Sequence, residues 1–339
     1  MQPLVSVLIP AYNAESWLAD TIKSAIAQTW PEKEIIVVDD GSTDRTLAIA
    51  RQFERDGVRL VTQSNQGAAA ARNKAFSLSR GDYIQWLDAD DLLAPAKVAH
   101  QMKAAAETKN RRTLFSCSWA YFRYRPAKAN FIPTPLWSDL TATEWMARKF
   151  EGNWHMQTAT WLVTRELSET AGPWDTRLLG DDDGEYFARV ISASRGIRFI
   201  PQSKVYYRIT PSGRLSYIGQ AHKKMEAHFI GMKLQIAYLR ARENNDRVRA
   251  ACLTYLQTCL PFFYPERPDL VQEAQQLAES LGGQLTLPKT SWKYAFIEKL
   301  FGFAAAKNTQ LYYNRAKSSV LRVWDKTMYS VDHRSRSVS

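Results

Sequence analysis

Cysteine is scarce in this 339-residue chain: Cys117, Cys252 and Cys259 are an odd number with no metal-ligand spacing. That excludes a disulfide framework and a cysteine-based zinc site, and it suits a reducing compartment. Glycine is sparse too, at 15 residues, and no Gly-x-Gly-x-x-Gly follows the first apolar run, where Pro10-Ala11-Tyr12-Asn13 stands instead. No Gly-x-x-x-x-Gly-Lys-Ser/Thr stretch exists either, so the two common glycine cradles for phosphate are ruled out. Long apolar runs are missing. The most apolar stretches, 250–264 and 294–306, are short and broken by Pro261 and by Glu298 with Lys299, so no membrane-spanning helix is expected. The opening Met-Gln-Pro-Leu-Val-Ser-Val-Leu-Ile-Pro carries no basic leader and reads as a strand rather than a signal peptide.

What is present argues for a folded α/β protein. Apolar residues make up 45% of the chain and aromatics 12%, enough to bury a core and to exclude disorder. The 45 Lys and Arg against 34 Asp and Glu give a net charge of +11, which favours anionic company such as nucleotides, phosphates, nucleic acid or an acidic membrane.

Through the first hundred residues strand and helix patterns alternate. Apolar runs at Leu4 to Ile9, Glu34 to Val38, Val58 to Thr62 and Tyr83 to Leu87 are separated by helical spacing at Glu15 to Gln28, Asp44 to Arg55 and Ala68 to Ser79. Strands without polar alternation, each followed by a helix, predict a mainly parallel sheet covered on both faces, with ligand at the carboxyl ends of the strands. A helix to about Glu107, a strand at Thr113 to Arg123 and a proline-rich stretch follow, with a further strand-like run at Thr160 to Thr164. From about Gly219 the pattern becomes helical, with breaks at Pro265, Pro268 and Pro288, and only the tail after Ser330 looks low in complexity. The reading is a catalytic unit over 1–218, divided into a nucleotide-binding half 1–95 and an acceptor half 96–218, and a helical, basic extension over 219–339.

Acids gather where strands should end. Asp39 and Asp40 stand at the exit of the second strand, placed to read a base or ribose, while Ser42 to Asp44 are expected to cap the next helix. Asp88, Asp90 and Asp91 close another strand, and like charges so crowded suit Mg²⁺ or Mn²⁺ shared with a diphosphate. A third cluster, Asp181-Asp182-Asp183, precedes a helical run at Tyr186 to Ser192; its plain alternative is a solvated acidic helix start.

Several segments together, Pro10 to Asn13, Gln28-Thr29, Glu34 to Asp44, Asn65 to Gly67, Ala71 to Asn73 and Gly81 to Asp91, resemble the nucleotide-binding half of glycosyltransferase family 2. The resemblance is dense over about 4–95, weaker over about 172–210, and absent after Gly219. It implies the GT-A nucleotide-diphospho-sugar transferase fold, a mixed, mainly parallel sheet flanked by helices, and an inverting reaction. By it Tyr12, beside Pro10, would stack on a uracil-type base, Asp40 would bond the base edge with Asp39 in support, and Asp88 would lie at the ribose. Asp90 would hold the metal, with Asp88 and Asp91 close by, and Arg72 would approach the phosphates or order the acids. Asn73 is expected to be structural. The family has Glu-Asp where this chain has Asp182-Asp183, a departure that leaves Asp183 first, Asp182 second and Asp181 third as the base.

A base is what the chemistry requires, since an acceptor hydroxyl becomes nucleophilic as its proton leaves, and an aspartate near its ordinary pKa of about 3.9 is ionised at neutral pH. Trp154 and His155 are candidates for a sugar platform or for core, Trp174 for the acceptor side, and Tyr207-Arg208 with Ser212 to Arg214 for a closing loop. The expected partners are a nucleotide-sugar donor and a glycan or lipid-linked acceptor. Over 286–339 ten Lys and Arg face three acids among many aromatics, which suits peripheral contact with an anionic membrane; no nucleic acid is expected. The expected location is cytoplasmic, or peripheral at the membrane's inner face. Two rival readings are a nucleic-acid or membrane-binding module, which leaves the acid clusters unexplained, and a sugar nucleotidyltransferase, which lacks its glycine-rich basic loop.

Overall fold

The computed structural model describes residues 2–108, 110–210 and 221–336. Its strands are β1 (Val5–Ala11), β2 (Lys33–Asp39), β3 (Val58–Thr62), β4 (Tyr83–Trp86), β5 (Leu92–Leu93), β6 (Thr113–Phe122), β7 (Val163–Thr164) and β8 (Gly196–Arg208). One sheet has the order β3-β2-β1-β4-β7, parallel except for the antiparallel edge strand β7. All seven residues of β1 are buried, as are Ile35 to Asp39 of β2, which is why these strands show no polar alternation. A second sheet, β5-β8-β6, pairs β6 parallel to β8 with a register shift between Cys117 and Ser118.

Helices α1 (Leu18–Ile26), α2 (Thr46–Arg51), α3 (Ala68–Leu78), α4 (Lys97–Glu107), α5 (Ala142–Gly152), α6 (Arg165–Ala171) and α7 (Asp182–Ala193) fill the first two thirds. Helix α3 packs on β1 and β2, and α4 on β6 and β8. The C-terminal helices are α8 (His222–Arg242), α9 (Asp246–Cys259), α10 (Pro268–Ser280) and α11 (Ala295–Arg336). Helix α8 lies against α7 and α9 against α5, so one cluster of buried apolar side chains runs from Val7 to Leu281. The three cysteines are buried and unpaired.

The local expectations need two corrections. The helix placed at Asp44 to Arg55 is α2 followed by a 3₁₀ turn at Glu54–Asp56, closed by Gly57 at φ 82°. The strand at Thr160 to Thr164 shrinks to Val163–Thr164, because Gln157 caps a 3₁₀ turn over Thr158–Thr160 through the amide of Ala159. The helix breaks expected at Pro265, Pro268 and Pro288 fall between α9 and α10 and between α10 and α11, with Pro268 in the first turn of α10, where a missing N–H costs nothing. Helix α11 runs on through the low-complexity residues after Ser330 to Arg336.

Helix α11 departs from helical geometry at Gly302, whose φ of 83° and ψ of 169° bend the chain. It is fastened to the body by Lys307 on Glu266 and by Asp325 on Arg125, each at 2.8 Å, and by Phe303 against Tyr264. Tyr329 also packs on Tyr124, with ring centres 6.1 Å apart, whereas Tyr313 is 60% and Trp324 63% exposed, and Tyr312, Val320 and Val323 lie open beside them.

Candidate active site

The carboxyl ends of β1, β2 and β4 open into a cleft of about 570 Å³. Pro10 and the half-exposed Tyr12 form one wall, and Asp40, Arg72, Asp88 and Asp90 line the floor and sides. The parallel register makes this possible: Ala11 pairs with Asp39, so two strands deliver their polar ends at one level. Ser42 Oγ accepts from the Asn13 amide, cross-linking the loops after β1 and β2. The helix start is held by Asp44, which accepts from the Thr46 amide at 2.8 Å and the Glu15 amide at 3.1 Å; Ser42 and Thr43, expected as caps, serve the Asn13 loop instead.

Asp40 is buried and accepts from Gln63 Nε2, the Gln66 amide and the Gly67 amide at 2.8 to 2.9 Å. A carboxylate has about four lone-pair positions, so one remains for a ligand. Gly41 makes the approach possible: it sits at φ 72°, and a Cβ there would lie 2.8 Å from the Asn65 amide. Asp39 is buried away from the cleft lining, with one oxygen taking the Ser42 amide at 3.3 Å.

Arg72, buried on α3, joins the second and third acid clusters. Its Nη2 donates to Asp88 at 2.8 Å and its Nη1 to Asp182 at 2.5 Å, while the guanidinium lies 4.3 Å from the Trp174 ring centre. Coulombic attraction from Asp182 and Asp88 outweighs desolvation and raises its pKa further. Trp174, expected on the acceptor side, is buried and stacked on Tyr186 at 4.0 Å, making it the support beneath Arg72. Asn73 clasps the Trp174 backbone in both directions, at 2.8 and 2.9 Å.

Asp88 and Asp90 face the cleft, but Asp91 does not. It is fully buried, with its oxygens taken by the Arg208 amide and Gln157. Among the described residues no three His, Cys, Asp or Glu side chains gather around a metal. Two cleft carboxylates without a cage fit a divalent cation that takes its other oxygens from a diphosphate and water. Tyr207 and Arg208, expected in a closing loop, end strand β8, and Arg208 binds the backbone of Asp90 and of Arg123. Ser212 to Arg214 lie outside the described residues.

The third cluster begins α7 earlier than its pattern suggested, with Asp182 and Asp183 in the first turn, where the helix dipole favours acids. Asp181 turns the chain at φ 55°. Asp182 is committed to Arg72. Among the described residues Asp183 accepts only from Thr158 Oγ1 at 3.2 Å and the Gly184 amide at 2.9 Å, and it lines the cleft. Burial, then the charges of Asp182 and Asp181, push its carboxyl up to about 7, well above the value expected from sequence.

The sequence profile of glycosyl transferase family 2 matches residues 6–170. Residues 6–170 belong to that family. The putative teichuronic acid biosynthesis glycosyltransferase TuaG of Bacillus subtilis is 38% identical over 126 residues, which cover 36% of this chain and 47% of TuaG. The chain thus spans less than half the length of curated relatives such as this one. Among solved structures, S. aureus TarS 1-349 in complex with UDP-GlcNAc superposes with a TM-score of 0.66 at 18% identity, covering 82% of this chain and 81% of TarS. The mannosyltransferase PcManGT of Pyrobaculum calidifontis, in complex with GDP-Man and Mn²⁺, gives 0.54 at 18% identity over 96% and 88%. The fold is therefore the GT-A fold of these transferases.

Within this family 2 core the sequence reading missed Thr158 beside Asp183 and Gln157 beneath the Asp90-Asp91 turn, and it gave Arg208, which binds that turn, to a closing loop. Gln157 and Thr158 sit in a segment read as a strand approach, and no spacing rule links either residue to acids 25 to 66 positions away. From the C-terminal helices, Gln235 donates to Asp181 at 3.0 Å, a contact that no motif after Gly219 announced.

Proposed function

We propose that the chain transfers a sugar, with inversion, from a uridine diphosphate sugar to a hydroxyl of a glycan or lipid-linked acceptor. The observation that carries this reading is Asp183, a carboxylate at the cleft whose neighbour Asp182, not itself, neutralises Arg72. In this reading Tyr12 stacks on the base, Asp40 offers its remaining lone pair to the base edge with Asp39 behind it, and Asp88 meets the ribose. Asp90, with Asp88, would hold Mn²⁺ or Mg²⁺; when bound, the cation supplies positive charge for the departing diphosphate. Asp91 supports this turn from below. Asp183 takes the proton of the acceptor hydroxyl, a role worth roughly 10²- to 10⁴-fold in rate, and a carboxyl near 7 is matched to that task at neutral pH. Arg72 fixes Asp182 and Asp88 so that the base and the donor side keep one relative position.

Uridine is supported by the solved complexes of TarS with UDP and UDP-GlcNAc, and a cell-envelope polysaccharide acceptor by the name of TuaG. No helix among the described residues is long and apolar enough to cross a membrane. A cytoplasmic enzyme meeting lipid-linked acceptors through 286–339 fits the exposed aromatics and basic charge of that segment. The deciding experiment is turnover of UDP-glucose, UDP-galactose, UDP-GlcNAc and GDP-mannose with Mn²⁺, with Mg²⁺ and with EDTA. Metal-dependent release of UDP is expected. Metal-independent release would remove the cation, GDP-mannose as the only substrate would remove uridine, and no release from any donor would overturn the transferase reading.

A further inference from the structure

Asp181 and Asp183 line not only the cleft but also a second cavity, of about 190 Å³. Its walls come from α5, α7 and the C-terminal helices α8 and α9, which the family match does not reach. Aromatic rings are prominent on that wall: Trp145, Trp154, Phe187 and the stacked pair Phe150 and Tyr255, whose rings lie 4.2 Å apart. Flat apolar faces with a few polar groups are how small-molecule sites are built.

The polar groups are few and unevenly satisfied. Gln235 is fully engaged, giving its amide N–H to Asp181 and accepting from Lys149 Nζ at 2.9 Å. His228 is not. It is 9% exposed, and among the described residues neither ring nitrogen has a hydrogen-bond partner. Asp181 comes nearest, at 3.7 Å from Nδ1, outside hydrogen-bond reach. Buried polar groups in proteins are as a rule partnered; Trp145 Nε1 on the same wall is open as well, but His228 leaves both ring nitrogens open, and an imidazole so placed offers a ligand atom a donor or an acceptor.

We propose that this cavity binds one neutral pyranose ring of the acceptor, its reacting hydroxyl at Asp183 and another hydroxyl on His228. The inference rests on the transferase reading and assigns its acceptor class. Aromatic walls take the C–H faces of a sugar, and a ring nitrogen of His228 can donate to or accept from a hydroxyl. The acids Asp181 and Asp183 outnumber the one lysine on the wall, Lys149, whose Nζ is taken by Gln235, and so disfavour an anionic group here. Asp183 then touches both cavities, as a base between donor and acceptor must. The motif-free helices α8 and α9 supply the acceptor side.

The test uses the full chain. UDP with Mn²⁺ is titrated first, then the methyl pyranosides of glucose, galactose, mannose and N-acetylglucosamine are added and followed by saturation-transfer NMR. At least one glycoside is expected to bind, and His228→Phe to weaken it about tenfold, the scale of one lost hydrogen bond. On wild-type protein the His228 ring resonance, one of five histidines, is expected to move as that glycoside saturates; this readout holds even if His228→Phe does not fold. Binding of UDP but of none of the glycosides overturns the inference and leaves the transferase reading intact. An unmoved His228 resonance, or a His228→Phe variant that binds as wild type does, also overturns it. Failure to bind UDP overturns the reading beneath it.

Discussion

Arg72 Nη1 stands 2.5 Å from Asp182 Oδ2, across 110 positions of sequence, and the same guanidinium holds Asp88 at 2.8 Å. One buried cation thus binds the turn after β4 to the start of α7, and fixes the distance between the donor side and the acid beside it.

Removing this cation leaves the buried Asp182 and the partly buried Asp88 without their counter-charge. Arg72→Met is expected to lower stability by roughly 3 to 5 kcal/mol, the usual cost of breaking a buried pair on one side. Urea unfolding of the two proteins measures it. A loss below about 1 kcal/mol would mean that the acids relax into solvent and that Arg72 organises nothing.

Asp183 and Asp182 should fail differently when changed to amides. Asp183→Asn is expected to keep its affinity for UDP-sugar and to lose at least about a hundredfold in transfer, whereas Asp182→Asn loses stability first because it strands Arg72. Calorimetric titration and turnover on both variants separate them. Full activity in Asp183→Asn with none in folded Asp182→Asn would move the base by one residue.

The pH profile follows from the raised carboxyl of Asp183. A base works only when deprotonated, so with its carboxyl near 7 kcat/KM is expected to fall about tenfold per unit below that value and to level off above it. Asp181→Asn removes one neighbouring negative charge, which makes the ionised form easier to reach and shifts the acid limb to lower pH. Profiles of the two proteins test the sign. A limb that stays in place, or moves to higher pH, would show that another group titrates.

Asp90→Asn preserves size and removes charge. Donor affinity in Mn²⁺ is expected to fall to the level measured in EDTA, while thermal unfolding stays within a few degrees of wild type. Unchanged titration by UDP-sugar and Mn²⁺ would take Asp90 out of the cation site.

Tyr313, Val320 and Trp324 follow one another at spacings of seven and four along α11, which places them on one stripe of the helix, and each is more than half exposed. Replacing all three by Glu in the full chain is expected to abolish flotation on phosphatidylglycerol liposomes without changing UDP release, since none of them touches the cleft. Equal flotation of both proteins, or none of either, removes the membrane from the proposal.

The chain itself determined the layers of the fold and the position of its acid clusters. Apolar runs such as Val5 to Ile9 and Ile35 to Val38, free of polar alternation, can be satisfied only inside a covered parallel sheet, and polar residues at their ends then fall on one edge. That logic brought Tyr12, Asp40, Asp88 and Asp90 to one cleft. It could not separate Asp182 from Asp183, because one residue of helix rotation, invisible to spacing, turns the first to Arg72 and leaves the second on the cavity wall. Nor could it show that Asp91 is buried beneath the turn, or that Trp174 is packing, since both depend on partners 66 and 12 or more positions away. The bond from Gln235 to Asp181, and the placing of His228 beside it, were decided by tertiary structure alone: α8 packs on α7, and its polar residues meet the site as a consequence of that packing, with no local pattern to record it.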